Sequence, residues 1–271
     1  MTKKFILYTI LIILVFLWMI PLYSTIITSL KTLDEIMKTG FWTFPKHASL
    51  DNFYEALTEG NMNRYLINSF IITITSVMGV LFMSSLGANA LARYNFKGNH
   101  LILFTFLGFN MLPPQMLLIP VFRLTNLLKI YDTYLSLILF HISFQTGFGV
   151  FFLRNFMKTI PSEISDAART DGASEFGIYW RVILPLTVPS LAALGTLNFT
   201  WIWNDYLWAI VLLRNDNLKP VTAGLASLQG QYASSWGMQN AAALIAVAPT
   251  IIVFLFLQKY FIKGLTLGAL K

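Results

Sequence analysis

The chain of 271 residues is 56% hydrophobic and 15% aromatic, and only 11% of it is charged, against about 25% in an average soluble domain. Cysteine is absent, which excludes a disulfide framework, a thiol nucleophile and a cysteine metal site. The formal net charge of +7 is read as lysine and arginine flanking membrane spans, not as a nucleic-acid footprint, because a chain this apolar needs lipid.

Apolar windows of about 20 residues, the length that crosses a bilayer as a helix, recur at 5–28, 66–88, 101–122, 133–153, 182–212 and 240–262. They predict an all-α, polytopic membrane protein with six transmembrane helices. The first window follows Met-Thr-Lys-Lys and has no small-residue cleavage site after it, so it reads as a retained span and not a signal peptide. Residues 1–63 then form an N-terminal transmembrane helix with an external loop, and 64–271 the core transmembrane domain.

Alternation from a cytoplasmic N-terminus puts 1–4, 89–100, 154–181 and 263–271 inside, and 29–65, 123–132 and 213–239 outside. With Lys259 at the end of the last span counted inside, that side holds Lys3, Lys4, Arg93, Lys97, Arg154, Lys158, Arg169, Arg181, Lys259, Lys263 and Lys271. The outside holds Lys31, Lys38, Lys46, Arg64, Arg123, Lys129, Arg214 and Lys219. The bias has the sign of the positive-inside rule, with both termini cytoplasmic. Pro113, Pro114 and Pro120 are expected to break the third span, and Pro185, Pro189 and Pro249 to interrupt the fifth and sixth, because proline removes a backbone hydrogen bond. Such breaks at membrane depth are tolerated where they meet protein or water.

One cytoplasmic stretch, EISDAARTDGASEFGIYWRVILPLTVP at 163–189, carries charge at short intervals between apolar runs. Pro161 suits a helix start and Ser162 or Glu163 can serve the exposed amides. Asp171-Gly172 suits a turn, since glycine tolerates a left-handed backbone. Ser174 is a candidate cap for a second helix, with Phe176, Tyr179, Trp180 and Ile183 as its apolar face. Two short helices joined by a tight turn make a knob at the membrane surface, with alanines that let a partner's groove approach closely.

In DAARTDGASEFGIYWRVILP, Asp166-Ala167-Ala168 is followed after three residues by Gly172 and after nine more by Val182-Ile183-Leu184-Pro185. This resembles the cytoplasmic signature of ABC importer permeases, with Asp166 in place of glutamate and Val182 in place of isoleucine. NSFIITITSVMGVLFMSSLGANALARYNF (68–96), MLPPQMLLIPVF (111–122), TWIWNDYLWAIVLL (200–213) and QKYFIKGLTLGALK (258–271) are similar to the smaller permease subunit of maltose-type carbohydrate importers, and the resemblance covers nearly the whole chain. It implies a type I ABC importer permease fold in a bacterial or archaeal plasma membrane. It also implies a second homologous permease, a cytoplasmic ABC ATPase dimer, an extracytoplasmic sugar-binding protein and a carbohydrate substrate as partners besides lipid. The knob, at about 161–178, becomes the coupling helix, with Asp166, Ala167, Ala168, Asp171, Gly172 and Ala173 as ATPase-docking residues.

The sequence contains no G-x-x-x-x-G-K-[ST] phosphate loop, so ATP is expected to be hydrolysed by the partner. The three histidines, His47, His100 and His141, lack metal-ligand spacing partners, and no cofactor is expected. A self-sufficient secondary transporter or channel would show paired acids in several spans, and a membrane enzyme clustered histidines or carboxylates; neither pattern is visible. His141 reads as a helix-packing residue or a proton relay. In the fifth span Asn198, Trp201, Asp205 and Trp208 fall at i, i+3, i+7 and i+10, one face of a continuous helix. Aromatic rings stack on sugar C–H surfaces while amides and acids take hydroxyls, so Asn198, Trp201, Asn204 and Asp205 are candidate substrate-path residues. The alternative is an interfacial tryptophan belt with a packing asparagine.

Overall fold

A computed structural model describes residues 2–231 and 235–269, with side chains over 4–229 and 235–258. The side chains of Lys3, Lys259, Lys263 and Lys271, and most of the 258–271 motif, lie outside the described residues. All regular structure among the described residues is helical. In chain order the helices are α1 (Thr2–Ser29), α2 (Leu33–Thr39), α3 (Asp51–Thr58), α4 (Met62–Arg93), α5 (Asn99–Asn110), α6 (Leu118–Leu127) and α7 (Tyr134–Met157). They continue as α8 (Ser162–Thr170), α9 (Glu175–Ile178), α10 (Leu184–Leu186), α11 (Val188–Trp203), α12 (Leu207–Leu212), α13 (Val221–Gln231) and α14 (Trp236–Ala269).

Four stretches, Lys4–Ser29, Met62–Arg93, Tyr134–Met157 and Trp236–Gln258, are each long and apolar enough to span a bilayer as one helix. Two more spans are bent pairs: Asn99–Asn110 with Pro114–Leu127 at 94°, and Glu175–Leu186 with Val188–Trp203 at 72°. Six crossings result when each bent pair counts as one. The prolines account for part of this. Pro113 and Pro114 sit at the first bend, and Pro114 opens a short 3₁₀ turn, where its missing N–H is no loss. Pro189 lies in the first turn of α11, just past the second bend. Pro120 and Pro249 break nothing: Pro120 lies in the first turn of α6, and α14 runs through Pro249.

The chain divides into two compact units. In the first, residues 1–66 and 221–249, α1 is apolar on every side and exposed from Lys4 to Pro21, as expected of a helix that meets lipid all round, while its last turn, Ile27 to Ser29, is buried. After it, Lys31 is 0% exposed, and its Nζ donates to Thr39 Oγ1, the Gly40 carbonyl and Thr43 Oγ1 at 3.2, 2.9 and 2.7 Å. Three acceptors satisfy all three ammonium protons, which fixes the fold of the segment around α2.

In the second unit, residues 67–220 and 250–271, the core is built from α4, α7, α11 and the 161–186 region. Ala88, Leu153, Met157, Ile178, Ile183 and Leu194 form one buried cluster. Its helices approach closely because small residues line the contact: a Cβ on Gly87 would lie 2.8 Å from Val150 Cγ2.

Candidate functional site

The charged 163–189 stretch folds as the expected helix pair. α8 ends in a Schellman motif: the Gly172 amide donates to the Arg169 carbonyl and the Ala173 amide to the Ala168 carbonyl, both at 3.0 Å. Gly172 has φ +84° with nothing within 4 Å of where a Cβ would stand. Glycine is therefore used here for its backbone freedom alone, as the turn expected at Asp171-Gly172 requires. Ser174 Oγ accepts from the Gly177 amide at 3.2 Å, capping α9 as expected. Pro161 stands at the cap position of α8, one residue before the helix, and no side chain caps that end.

The knob is locked by a residue that reading the sequence passed over. Arg169 Nη1 donates to Asp166 Oδ1 at 2.6 Å, while its Nε and Nη2 donate to Glu175 Oε1 and Oε2 at 2.6 and 3.2 Å. Tyr94, just past α4, donates its hydroxyl to Glu175 Oε2 at 2.6 Å. Arg93 Nη1 reaches the Ile160 carbonyl at 3.0 Å, directly before the knob. Hydrogen bonds from Arg169 and then Tyr94 hold the Glu175 carboxyl down at about 2. The available signal was the opposite charges on the two sides of a glycine turn.

Asp166, Ala167, Asp171, Gly172 and Ala173 are exposed together on this knob, while Ala168 is half-buried and packs against the Leu153 and Met157 cluster. The apolar face of the second helix differs from expectation. Ile178, Tyr179 and Ile183 are buried, whereas Phe176 and Trp180 point outward, 64% and 45% exposed. A π-helical turn over Tyr179–Ile183 adds a residue to the helical repeat and so rotates the register. Tyr179, at the start of this turn, is buried as expected, and its hydroxyl shares a 2.7 Å hydrogen bond with Ser85 Oγ.

The second candidate region does not lie on one continuous helix. α11 stops at Trp203, and Asp205 begins a new turn: Oδ1 accepts from the Trp208 amide at 3.4 Å and Oδ2 from the Ala209 amide at 3.2 Å, capping α12. The loop after α12 is anchored by Asp132 Oδ1, which accepts the Arg214 and Asn215 amides at 2.8 Å each. Asn68 Nδ2 donates to the Asn217 and Lys219 carbonyls at 2.9 Å, and Tyr134 to Asn68 Oδ1 at 2.7 Å. Asp205, Trp201, Trp208, His141, Gln145 and Gln115 line a cavity of about 210 Å3. His141 Nε2 lies 3.7 Å from Asp205 Oδ2. Trp208 stacks on Phe140 with ring centroids 3.7 Å apart.

Two candidate path residues fall outside this cavity. Asn198 is 0% exposed and donates back to the Leu194 carbonyl at 3.1 Å, the packing asparagine of the alternative reading. Asn204 is exposed at the end of α11 and donates to the Thr200 carbonyl at 2.8 Å.

Residues 79–267 match the profile of the binding-protein-dependent transport system inner membrane component family. The chain belongs to this family. It is 36% identical, over 94% of its length and 92% of the relative's, to the arabinooligosaccharides transport system permease protein AraQ of Halalkalibacterium halodurans. It is also similar to the melibiose/raffinose/stachyose import permease protein MelC of Bacillus subtilis, at 33% identity over 93% and 91% of the two chains. Its fold matches that of a chain in the crystal structure of a bacterial ABC transporter involved in the import of the acidic polysaccharide alginate, with a TM-score of 0.83 over 95% and 96% of the two chains at 23% identity. The all-α, multi-pass ABC importer permease fold expected from the sequence is therefore the fold found.

Proposed function

We propose that the chain is the permease subunit of an ATP-driven importer whose cargo is a carbohydrate of the oligosaccharide class. It forms the path across the membrane with a second homologous permease and receives cargo from an extracytoplasmic sugar-binding protein. The α8–α9 knob, on the cytoplasmic side with both termini, docks into a cleft of an ATPase dimer, which hydrolyses the ATP. The observation that carries this reading is the knob itself. Asp166, Ala167, Asp171, Gly172 and Ala173 stand exposed on two short helices whose mutual angle is held by the Arg169–Glu175 bridge and the Gly172 turn. A rigid, small-residue protrusion of this kind can pass a push between a partner and the spans behind it. The cargo class is supported by relatives named for oligosaccharide transport. It is supported too by the cavity where Trp201 offers an apolar ring while Gln145, His141 and Asp205 offer polar groups.

Reconstitution in vesicles tests the reading. The chain with its co-purifying subunits should take up oligosaccharide only with ATP and binding protein present, and the chain alone should take up none. Uptake by the chain alone, driven by an ion gradient, would instead identify a self-sufficient secondary transporter.

A further inference from the structure

A second cavity, remote from the knob's docking face in role, lies where three spans end. It measures about 400 Å3 at the end of α4, the start of α5 and the end of α7, and Asn95, Phe96, Lys97, His100, Arg154 and Lys158 are among its lining residues. Lys97, Arg154 and Lys158 bring three positive charges to it, and no acidic side chain lines it. Arg154 is 6% exposed. Its Nε donates to the Leu91 carbonyl at 3.1 Å, which fixes the guanidinium in place, and its two terminal nitrogens make no hydrogen bond among the described residues. The loop that forms the opposite wall is itself pinned, because Asn99 Nδ2 donates to the Leu91 and Tyr94 carbonyls at 3.2 and 3.0 Å.

A buried guanidinium without a carboxylate is costly unless an anion completes it. The charge here sits at the polar edge of the membrane-spanning helices. Directly beside it, Leu101 and Phe104 on α5 are 71% and 65% exposed, an apolar face that acyl chains can cover. We infer that this cavity binds the phosphodiester headgroup of an anionic phospholipid, with Arg154 as the buried anchor and Lys97 and Lys158 closing over the phosphate. Basic pockets between helix ends favour such headgroups over zwitterionic ones.

The test uses the chain purified with its co-assembled subunits, exchanged into nanodiscs of phosphatidylcholine doped with phosphatidylglycerol, then extracted and weighed by native mass spectrometry. Phosphatidylglycerol should be retained in preference to phosphatidylcholine, and washing with millimolar inorganic phosphate should leave it bound. Lys97 and Lys158 are exposed and bridge to no carboxylate among the described residues. K97Q/K158Q should therefore assemble yet lose retention on the order of tenfold. The preference of the unaltered assembly needs no variant, so the test stands even if K97Q/K158Q or R154Q fails to assemble. Equal retention of the two lipids, or retention unchanged in K97Q/K158Q, overturns the assignment. Release of the lipid by inorganic phosphate also overturns it and gives the cavity to free phosphate.

Discussion

Arg169 grips Glu175 with a two-point fork across the Gly172 turn, Nε to Oε1 at 2.6 Å and Nη2 to Oε2 at 3.2 Å, and its remaining arm holds Asp166. One guanidinium thus ties the end of α8 to the start of α9. A lysine cannot reproduce that planar geometry, so R169K and E175Q should both loosen the knob. Faster hydrogen exchange of the amides at 171–177, with weaker coupling of ATP hydrolysis to transport, is the expected result. The Glu175 carboxyl is lowered in the folded protein, so the bridge is fully present above the ordinary carboxylate range and is lost only as pH falls through about 2. Protection at 171–177, corrected for intrinsic exchange rates, should therefore be flat between pH 8 and pH 5.

Gly172 is strained for any other residue because of its φ of +84° alone, since the space around it is open. Substitutions should rank by tolerance of the left-handed backbone: G172N mildest, G172A intermediate, and G172V worst at about 1–3 kcal/mol locally. Coupled ATPase activity of the assembled complex should follow the same order. A valine variant as active as the asparagine one would show that the turn need not hold its shape.

Asp166 departs from the glutamate of the resembled signature, and its carboxylate faces Arg169 rather than capping its own helix. D166E keeps a charge within reach of the guanidinium and should retain coupling. D166N weakens a charge-assisted hydrogen bond to a neutral one and should impair coupling several-fold in sugar-stimulated ATPase assays. The reverse order would assign Asp166 a role of shape against the partner.

Asp205 caps α12 through two amides. D205N retains an acceptor, whereas D205A strips the cap and should cost about 0.5–2 kcal/mol, read as a lower melting temperature of the purified complex. W201A removes a cavity wall that is 46% exposed and should slow oligosaccharide uptake with little change in assembly. Asn198 is buried, so N198A should lower the yield of assembled complex instead.

The six spans were legible because a bilayer demands about 20 apolar residues whatever their order, and the knob because glycine and proline stand at spacings that only a turn and a helix start explain. What escaped notice has physical causes. Asn204-Asp205 sits within an apolar run, so hydropathy continues across a helix break that only the Asp205 cap reveals. The π turn at Tyr179–Ile183 leaves no mark in composition, and the expected apolar face is split: Tyr179 and Ile183 are buried while Phe176 and Trp180 stay outside. Arg169 and Glu175 are six residues apart, a spacing that one helix would not bring together and that the Gly172 turn does.

The exposed face of α8–α9 is expected to touch an ATPase. Because the chain has no cysteine, A167C or A173C introduces a single reactive thiol on that face. In native membranes, a short thiol-reactive cross-linker should join either variant to a co-purifying subunit that binds ATP, and T58C in the segment assigned to the opposite side should not form that product. Cross-links from positions 167 and 173 to an extracytoplasmic sugar-binding protein, or to no ATP-binding subunit in an assembly that transports normally, would rule out ATPase docking at this face.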